Sequence, residues 1–371
     1  MDLSRPNVLP GINFVKYEGN PVLRAPQGVP TDFFRDPKVF EYGGKYFLVC
    51  GAQREGRAQA LLYSSQDLLQ WEFVNVLFES RGEWGFMWEC PDFFPLGEKW
   101  VFVCSPMGVG ERTCVYFVGD FDAERGRFFP QVNGEVDWGF DFYAPQSLQT
   151  PDNRRVMVGW ANGWDWMPFW KDWGPTWRDG WCGAFGVPRQ VTLDESLHLV
   201  SKPIAEINTL RDLGKKTEHA SLAVDSTYKL NVGDGVSYDL SFEVDLEATS
   251  ASCAELLLRS DGEEGLRIQW DFDNAELRVE RDRADGWSTG VSRSPLCLMG
   301  KSQLDVRICV DVCSVELFVD GGRIVHSMND FAPLENKEIR FKVTDGQLVI
   351  KNLTGYPMKA VADPALTFEL H

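Results

Sequence analysis

One pattern occurs twice in this sequence, as RDPKVFEYGGKYFLVC at residues 35–50 and as ECPDFFPLGEKWVFVC at residues 89–104. In both copies a proline precedes a short apolar segment, a turn that contains glycine, and a second segment rich in aromatic and β-branched residues. Such a pattern predicts two strands joined by a hairpin. Because Pro37, Pro91 and Pro145 lie 54 residues apart, the unit recurs a third time.

The repeat predicts the blades of a β-propeller. Gly43-Gly44 is the expected hairpin turn of the first unit. Further strands are predicted at residues 60–64, 72–77, 115–119 and 128–132. About four short strands in each unit are the signature of a propeller blade. Three full blades are therefore predicted, beginning near Thr31, Trp84 and Phe140.

Three blades are fewer than a closed propeller needs. Residues 12–17 (INFVKY) suffice only for the last strand of an earlier blade. Propellers typically close with about four to eight blades, and an open blade face exposes apolar surface. We therefore expect further blades to be encoded upstream of Met1 or to come from another polypeptide.

The composition changes after Pro203. Helical spacing over residues 204–213, followed by Gly214 and two lysines, predicts a helical linker at 204–218. Short alternating strands separated by Asp-Gly and Gly-Gly turns fill residues 219–371 and predict a β-sandwich. The expected fold is all-β, with a partial propeller catalytic domain at residues 1–203 before the linker.

Charge and cysteine content limit the binding partners and the cellular compartment that we expect for the protein. The chain has 37 basic and 55 acidic residues, and its net charge of −18 disfavours binding to nucleic acid or to an anionic membrane. Nine cysteines without a CxxC pair favour reduced thiols, and no secretory signal is present at the N-terminus. We expect a cytoplasmic protein, unless a true N-terminus with a signal peptide is missing.

All four histidines follow residue 197, whereas twelve of the 14 tryptophans lie between Trp71 and Trp181. The first half can therefore host neither a histidine base nor a zinc site with histidine ligands. Its chemistry must use carboxylates, tyrosines or thiols. Tryptophans beside carboxylates suit a sugar site, although core packing explains any single tryptophan equally well. No motif implies a metal or an organic cofactor.

When the blades are aligned at their prolines, polar residues occupy equivalent positions at the starts of the innermost strands. These strands line the central channel of a propeller. Asp36 then matches Cys90, and Glu89 matches both Arg35 and Tyr143. Six residues should converge on one axial cavity: Arg35, Asp36, Glu89, Cys90, Asp141 and Tyr143. Carboxylates clustered in this way favour a functional site over isolated surface ion pairs.

The ordered motifs RDPKVF, WECPDFF, DFYAPQS, VMVGWAN and WCGAFGVPRQVTL resemble glycoside hydrolase family 32. This family contains invertases, sucrose-6-phosphate hydrolases, inulinases and levanases. The resemblance implies a five-bladed propeller with a C-terminal β-sandwich. It also implies retaining cleavage of terminal β-fructosyl residues from sucrose, sucrose 6-phosphate or fructo-oligosaccharides, with no cofactor.

The resemblance also implies residue roles. Glu89 matches the general acid/base, and Asp36 matches the carboxylate that stabilises the transition state. The implied sugar-binding residues are Arg35, Cys90, Asp141, Tyr143 and Trp160. The tryptophan-rich stretch at 160–181 is expected to form a rim for the aglycone side.

One motif of the family is missing. Its nucleophile is an aspartate in a WMNDPNG-like string, which this sequence does not contain. We therefore predict that this chain alone is inactive. The alternatives are a non-catalytic sucrose- or fructan-binding protein and, less favoured by the axial charges, a scaffold for protein partners. An open blade or the sandwich could also support a homo-oligomer.

Overall fold

The computed structural model describes residues 15–110, 112–161 and 175–360. These residues form three four-stranded sheets and two six-stranded sheets. Within these ranges, no helix is long and apolar enough to cross a bilayer. The all-β fold class is thus confirmed.

The three four-stranded sheets are the predicted blades, each an antiparallel meander. The first contains β1 (Phe34–Tyr42), β2 (Lys45–Arg54), β3 (Arg57–Ser65) and β4 (Glu72–Glu79), and follows a 3₁₀ turn at Thr31–Phe33. The second contains β5 (Met87–Leu96), β6 (Lys99–Met107), β7 (Val115–Asp122) and β8 (Arg127–Glu135). The third contains β9 (Tyr143–Gln149), β10 (Arg155–Trp160), β11 (Arg189–Leu193) and β12 (Leu199–Pro203). A further 3₁₀ turn spans Pro175–Asp179.

Gly43 and Gly44 form the expected turn between β1 and β2, with φ values of 61° and 74°. Of the strand expected at residues 12–17, positions 12–14 lie outside the described residues, and positions 15–17 form no strand.

The innermost strands share one backbone irregularity. Asp36, Cys90 and Ala144 occupy equivalent positions, and their φ values are 61°, 49° and 49°. In β1 and β5 the pairing register also shifts here, between residues 35 and 38 and between residues 89 and 92. A bulge of this kind bends a strand and re-aims its side chains. The repeat therefore sets the same side-chain direction at the start of each blade.

Aromatic side chains hold the first two blades together. The ring of Phe78 in β4 stacks on that of Trp88 in β5 at 5.0 Å, and the ring of Phe40 in β1 meets that of Phe93 in β5 edge-on at 5.7 Å. The blades also approach closely at Gly51, where a Cβ atom would lie 2.1 Å from the carbonyl oxygen of Trp88. Face-to-face packing of this density fixes the innermost strands relative to each other.

The linker is not the single helix that the spacing predicts. It contains two short 3₁₀ turns, Ala205–Leu210 and Leu213–Lys215, and the first sandwich strand already begins at Thr217. Neither turn has a buried residue. A helix this short is not stable without an apolar face to bury, which explains the difference.

The second domain is a sandwich of two six-stranded sheets. One sheet has the order β13-β24-β15-β20-β21-β22, and the other has the order β14-β23-β16-β17-β18-β19. Their strands are β13 (Thr217–Val224), β14 (Thr227–Leu230), β15 (Tyr238–Asp245), β16 (Cys253–Ser260), β17 (Leu266–Asp271), β18 (Glu276–Glu280), β19 (Val291–Pro295), β20 (Gln303–Asp311), β21 (Ser314–Val319), β22 (Ile324–Asn329), β23 (Glu338–Val343) and β24 (Leu348–Pro357). A 3₁₀ turn at Asp320–Gly322 lies between β21 and β22.

The two domains meet along β22, which is an edge strand of its sheet. Residues 136–142, which we call the connecting segment, join the second blade to the third. The backbone N–H groups of Trp138 and Asp141 donate to the carbonyl oxygens of Val325 (2.7 Å) and Ser327 (3.0 Å) in β22. The propeller thereby covers an edge that would otherwise be open to pairing.

Candidate active site

The centre of the site is the Glu89 carboxylate, near the start of β5. Nε and Nη2 of Arg35 donate to its Oε1 at 3.0 and 2.7 Å. The Tyr143 hydroxyl donates to its Oε2. The three residues are 54 positions apart in the chain, and each lies at the start of an innermost strand. The blade alignment therefore placed them together correctly.

Asp36 and Cys90 form the second pair of the site. The backbone N–H of Cys90 donates to Oδ2 of Asp36 at 2.9 Å, and the Cys90 thiol lies 3.6 Å from the same oxygen. Nε of Arg35 is 4.0 Å from this Oδ2, so one guanidinium lies between the Asp36 and Glu89 carboxylates. The Asp36 side chain is 32% exposed, which leaves its carboxylate accessible to a ligand hydroxyl.

Burial keeps the Cys90 thiol and the Tyr143 hydroxyl protonated. Burial, with the negative charges of Asp36 and Glu89, raises the pKa of the Cys90 thiol to about 12. Burial and the hydrogen bond to Glu89 also raise the pKa of Tyr143. Both groups are therefore neutral near pH 7 and act as hydrogen-bond donors, and Cys90 is not a thiolate nucleophile.

Trp160 lies beside this cluster, at the end of β10. Its backbone is paired with that of Tyr143, and its half-buried ring meets Phe185 edge-on at 6.4 Å. Of the predicted rim at 160–181, residues 162–174 lie outside the described residues.

Asp141 is the one predicted site residue that the structure places elsewhere. Its side chain is buried, and Oδ2 lies 2.5 Å from Nη1 of Arg281. The same oxygen accepts the backbone N–H of Asn329 at 2.7 Å. Both partners belong to the sandwich, so the expectation that Asp141 faces the axial cavity is corrected. A carboxylate two residues from the strand start reaches the domain interface, where a buried guanidinium offers a stronger partner than a sugar hydroxyl.

Sequence reasoning missed a further set of equivalent positions, Lys38, Asp92 and Gln146. Nζ of Lys38 lies 3.4 Å from Oδ1 of Asp92 and donates to Oε1 of Gln146 at 3.1 Å. Asp92 is fully buried, and its Oδ2 accepts the N–H and hydroxyl of Ser147. This polar contact joins the innermost strands of all three blades. The 54-residue spacing contained the signal, since these residues lie two positions after Asp36, Cys90 and Ala144.

Across the described ranges, no group of three or more His, Cys, Asp or Glu side chains could hold a metal ion. The site thus consists of two carboxylates, a guanidinium, a phenol and a thiol. Such a set can transfer a proton at Glu89 and accept hydroxyl groups at Asp36.

Three propeller blades whose innermost strands hold a carboxylate between an arginine and a tyrosine, followed by a β-sandwich, define a propeller–sandwich protein. The sequence profile described as "Glycosyl hydrolases family 32 N-terminal domain" matches residues 5–203. The profile described as "Glycosyl hydrolases family 32 C terminal" matches residues 206–357. The chain belongs to glycoside hydrolase family 32.

Individual relatives agree with this assignment. A probable sucrose-6-phosphate hydrolase of Psychromonas ingrahamii is 31% identical over 92% of this chain and 59% of its own length. A levanase of Bacillus subtilis is 31% identical over 95% of this chain and 54% of its own length. The chain thus spans between half and two thirds of these curated relatives. The solved structure of a family 32 β-fructofuranosidase from Bombyx mori superposes with a TM-score of 0.75, at 27% identity, over 94% of this chain and 71% of that one.

Proposed function

We propose that this site binds the terminal β-fructosyl unit of sucrose, sucrose 6-phosphate or a fructo-oligosaccharide and belongs to a retaining β-fructofuranosidase. One observation carries the proposal: Glu89 is held at both carboxylate oxygens, by Arg35 and by Tyr143, yet remains 21% exposed. The names of the hydrolase and levanase relatives support the substrate class.

Glu89 serves as the general acid/base in this proposal. It protonates the glycosidic oxygen and then activates water. The Tyr143 hydroxyl orients the carboxylate through Oε2, and Arg35 holds Oε1. Fixed hydrogen bonds of this kind keep the acid in reach of the leaving group without reorganisation during the reaction.

Asp36 stabilises the transition state. The reaction passes through an oxocarbenium-like state, so a carboxylate that grips the sugar hydroxyls lowers its energy. The Cys90 N–H holds Oδ2 of Asp36 in place. Trp160 offers an apolar ring on which a sugar face can stack.

A retaining mechanism also needs a nucleophilic carboxylate, about 5–5.5 Å from the acid. The family places it in a WMNDPNG-like string, which the 371 residues lack. We therefore propose that this chain alone binds the sugar without turning it over. The same missing string favours the second candidate, a non-catalytic sucrose- or fructan-binding protein.

Two assays on the purified chain test these proposals. Calorimetric titration with 1-kestose should show binding, and sucrose hydrolysis should stay at background. Turnover that Glu89→Gln abolishes would show a complete active site and overturn the expected inactivity. Lack of binding in the titration, together with lack of turnover, would contradict the proposed function itself.

We also propose that copies of the chain associate through the face of the third blade that points away from the second blade. Ser147 of β9 bonds Asp92 of the second blade, so the next residue, Leu148, points to the opposite face and is 56% exposed. Light scattering should detect a dimer, and Leu148→Lys should weaken it, whereas Leu334→Lys on the sandwich should not. A wild-type chain that stays monomeric at its highest soluble concentration would contradict this interface.

We likewise propose that the protein is located in the cytoplasm. Cys50, Cys104 and Cys114 are buried as free thiols. Free thiols persist in reducing compartments. Cell fractionation with antibodies to the chain tests this location, and recovery from an oxidising compartment would contradict it.

A further inference from the structure

We propose that the β-sandwich positions the acid/base of the propeller, with Arg281 as the positioning residue that holds the connecting segment and thereby keeps Tyr143 on Glu89. The inference rests on the proposed function, because it treats Glu89 as the acid/base. It gives Asp141 a role in the domain interface in place of sugar binding.

Backbone pairing is the first attachment. β22 accepts hydrogen bonds from the N–H groups of Trp138 and Asp141, so the connecting segment lies along this strand. At Gly139 the approach is so close that a Cβ atom would lie 2.2 Å from the carbonyl oxygen of Ser327. Only glycine allows this contact without movement of the segment.

The Asp137 side chain supplies a second attachment. Its carboxylate accepts the N–H of Gly139 at 2.7 Å and the N–H and hydroxyl of Ser327 at 2.9 and 2.8 Å. Nη1 of Arg189 lies 2.8 Å from the same carboxylate, and both side chains are fully buried. The start of the segment is thus fixed to the sandwich by charge-assisted hydrogen bonds.

The third attachment is the pair of Asp141 and Arg281. The guanidinium is itself oriented, since Nε donates to the carbonyl oxygen of Thr289 at 3.0 Å and the group lies 4.5 Å from the Phe140 ring centroid. Asp141 therefore meets a fixed partner. Its position is set by the sandwich rather than by the blade that follows it.

The segment leads directly to the acid/base. Phe142 follows Asp141, is fully buried, and packs 3.6 Å beneath the Arg189 guanidinium. Tyr143 comes next and donates to Glu89. Since two residues span at most about 7 Å of chain, a shift of Asp141 reaches the Tyr143 hydroxyl with little slack to absorb it.

A role in orienting the connecting segment explains the Asp141–Arg281 ion pair better than a role in stability alone. A buried ion pair is weak support for a purely stabilising role, because desolvation offsets much of the attraction between the charges. A positioning role predicts an effect on the site in a variant that remains folded. The measurements below separate these two roles.

The experiment compares wild-type chain with Arg281→Gln and Arg281→Lys. One readout is the rate at which iodoacetamide alkylates Cys90, beside Glu89, relative to Cys253 in the sandwich, measured by peptide mass spectrometry. The other readout is the dissociation constant for 1-kestose. Arg211→Gln is the matched control, because Arg211 joins the linker to the buried Asp239 of the sandwich away from the connecting segment.

We expect Arg281→Gln to raise the Cys90 alkylation rate and to weaken 1-kestose binding, each by about tenfold, as for loss of one hydrogen bond to a charged group. Arg281→Lys should recover part of both effects, and Arg211→Gln should change neither. Folded Arg281→Gln protein with wild-type values in both readouts would overturn the proposal.

A second variant covers the case in which Arg281→Gln does not fold. Gly139→Ala keeps every charge but pushes the segment away from Ser327, so it should also raise the Cys90 alkylation rate. An unchanged rate in this variant would count against positioning. If wild-type chain does not bind 1-kestose, the proposed function fails, and the alkylation rates alone decide whether the sandwich positions the site.

Discussion

The axial cluster and the domain interface are both built on charged side chains, but they differ in burial and in origin. In the cluster, Arg35 and Glu89 remain partly exposed and come from equivalent positions of neighbouring blades. At the interface, Arg189 and Asp137 are fully buried and come from chain segments with no repeat relation. The partly exposed charges of the cluster are open to a ligand, whereas the buried charges of the interface are not.

The difference predicts where a substitution changes stability and where it changes binding. Loss of a buried partner leaves an uncompensated charge, so the interface should dominate the free energy of unfolding. Loss of a partner in the cluster should change ligand binding at the axial site and leave the fold intact.

The largest effect is expected for Arg189→Met. It leaves Asp137 and Glu316 buried without their shared guanidinium, and should lower the free energy of unfolding by about 3–5 kcal/mol in urea denaturation. Arg125→Met is the control, because this side chain is 80% exposed and should change nothing measurable. Equal stability of the two variants would remove the contrast between the regions.

A smaller loss is expected for Lys38→Met. Asp92 keeps its bonds from Ser147 but loses its cation, so unfolding should become easier by about 1–3 kcal/mol. Lys99→Met removes a similar cation from the exposed Asp120 and serves as the control. If Lys38→Met matches its control, the contact between three blades contributes no stability.

Acid should weaken the packing of β22 against β19, within the sandwich, through His326. This ring is fully buried between the hydroxyls of Ser292 and Ser294, and burial lowers its pKa from 6.5 to about 3. The unfolded chain therefore takes up the proton first as the pH falls. Stability from the neutral ring is complete above pH 6.5 and is lost toward pH 3, by up to about 1.4 kcal/mol per pH unit.

Comparison of wild-type chain with His326→Gln isolates this contribution. The variant should lose less stability than wild type between pH 6.5 and pH 4 in thermal or urea unfolding, because glutamine does not titrate. Parallel pH profiles would show that His326 does not control the acid sensitivity of this edge.

The smallest change in stability is expected in the cluster itself, for Tyr143→Phe. Glu89 keeps both bonds from Arg35, so the free energy of unfolding should change by less than about 1 kcal/mol. Affinity for 1-kestose should nevertheless fall by at least about tenfold, because Oε2 loses its donor altogether. Tyr228→Phe in the sandwich is the control and should leave the affinity unchanged.

Contacts between repeated positions can be predicted from the sequence, whereas contacts between the two domains cannot. The 54-residue spacing located Arg35, Glu89 and Tyr143 because a repeat converts chain position into spatial position. The same spacing relates Lys38 to Asp92, and this contact was missed. No such rule links Asp141 to Arg281, since the pairing depends on how the sandwich docks on the propeller. The motif alone therefore does not predict that Asp141 contacts Arg281.

The linker shows another limit of pattern reasoning. Periodic spacing over residues 204–213 predicted a helix, but the segment buries no side chain within its two 3₁₀ turns. Apolar periodicity stabilises a helix only when a partner surface covers it. That surface depends on tertiary packing, which the local sequence does not contain.

A crystal structure of this chain grown with fructose would show whether Asp36 and Glu89 together hold the sugar. We predict sugar hydroxyls within hydrogen-bond distance of the Asp36 carboxylate, with the anomeric oxygen next to Oε2 of Glu89. Fructose bound away from both carboxylates, with Arg35 and Tyr143 still closed over Glu89, would contradict it.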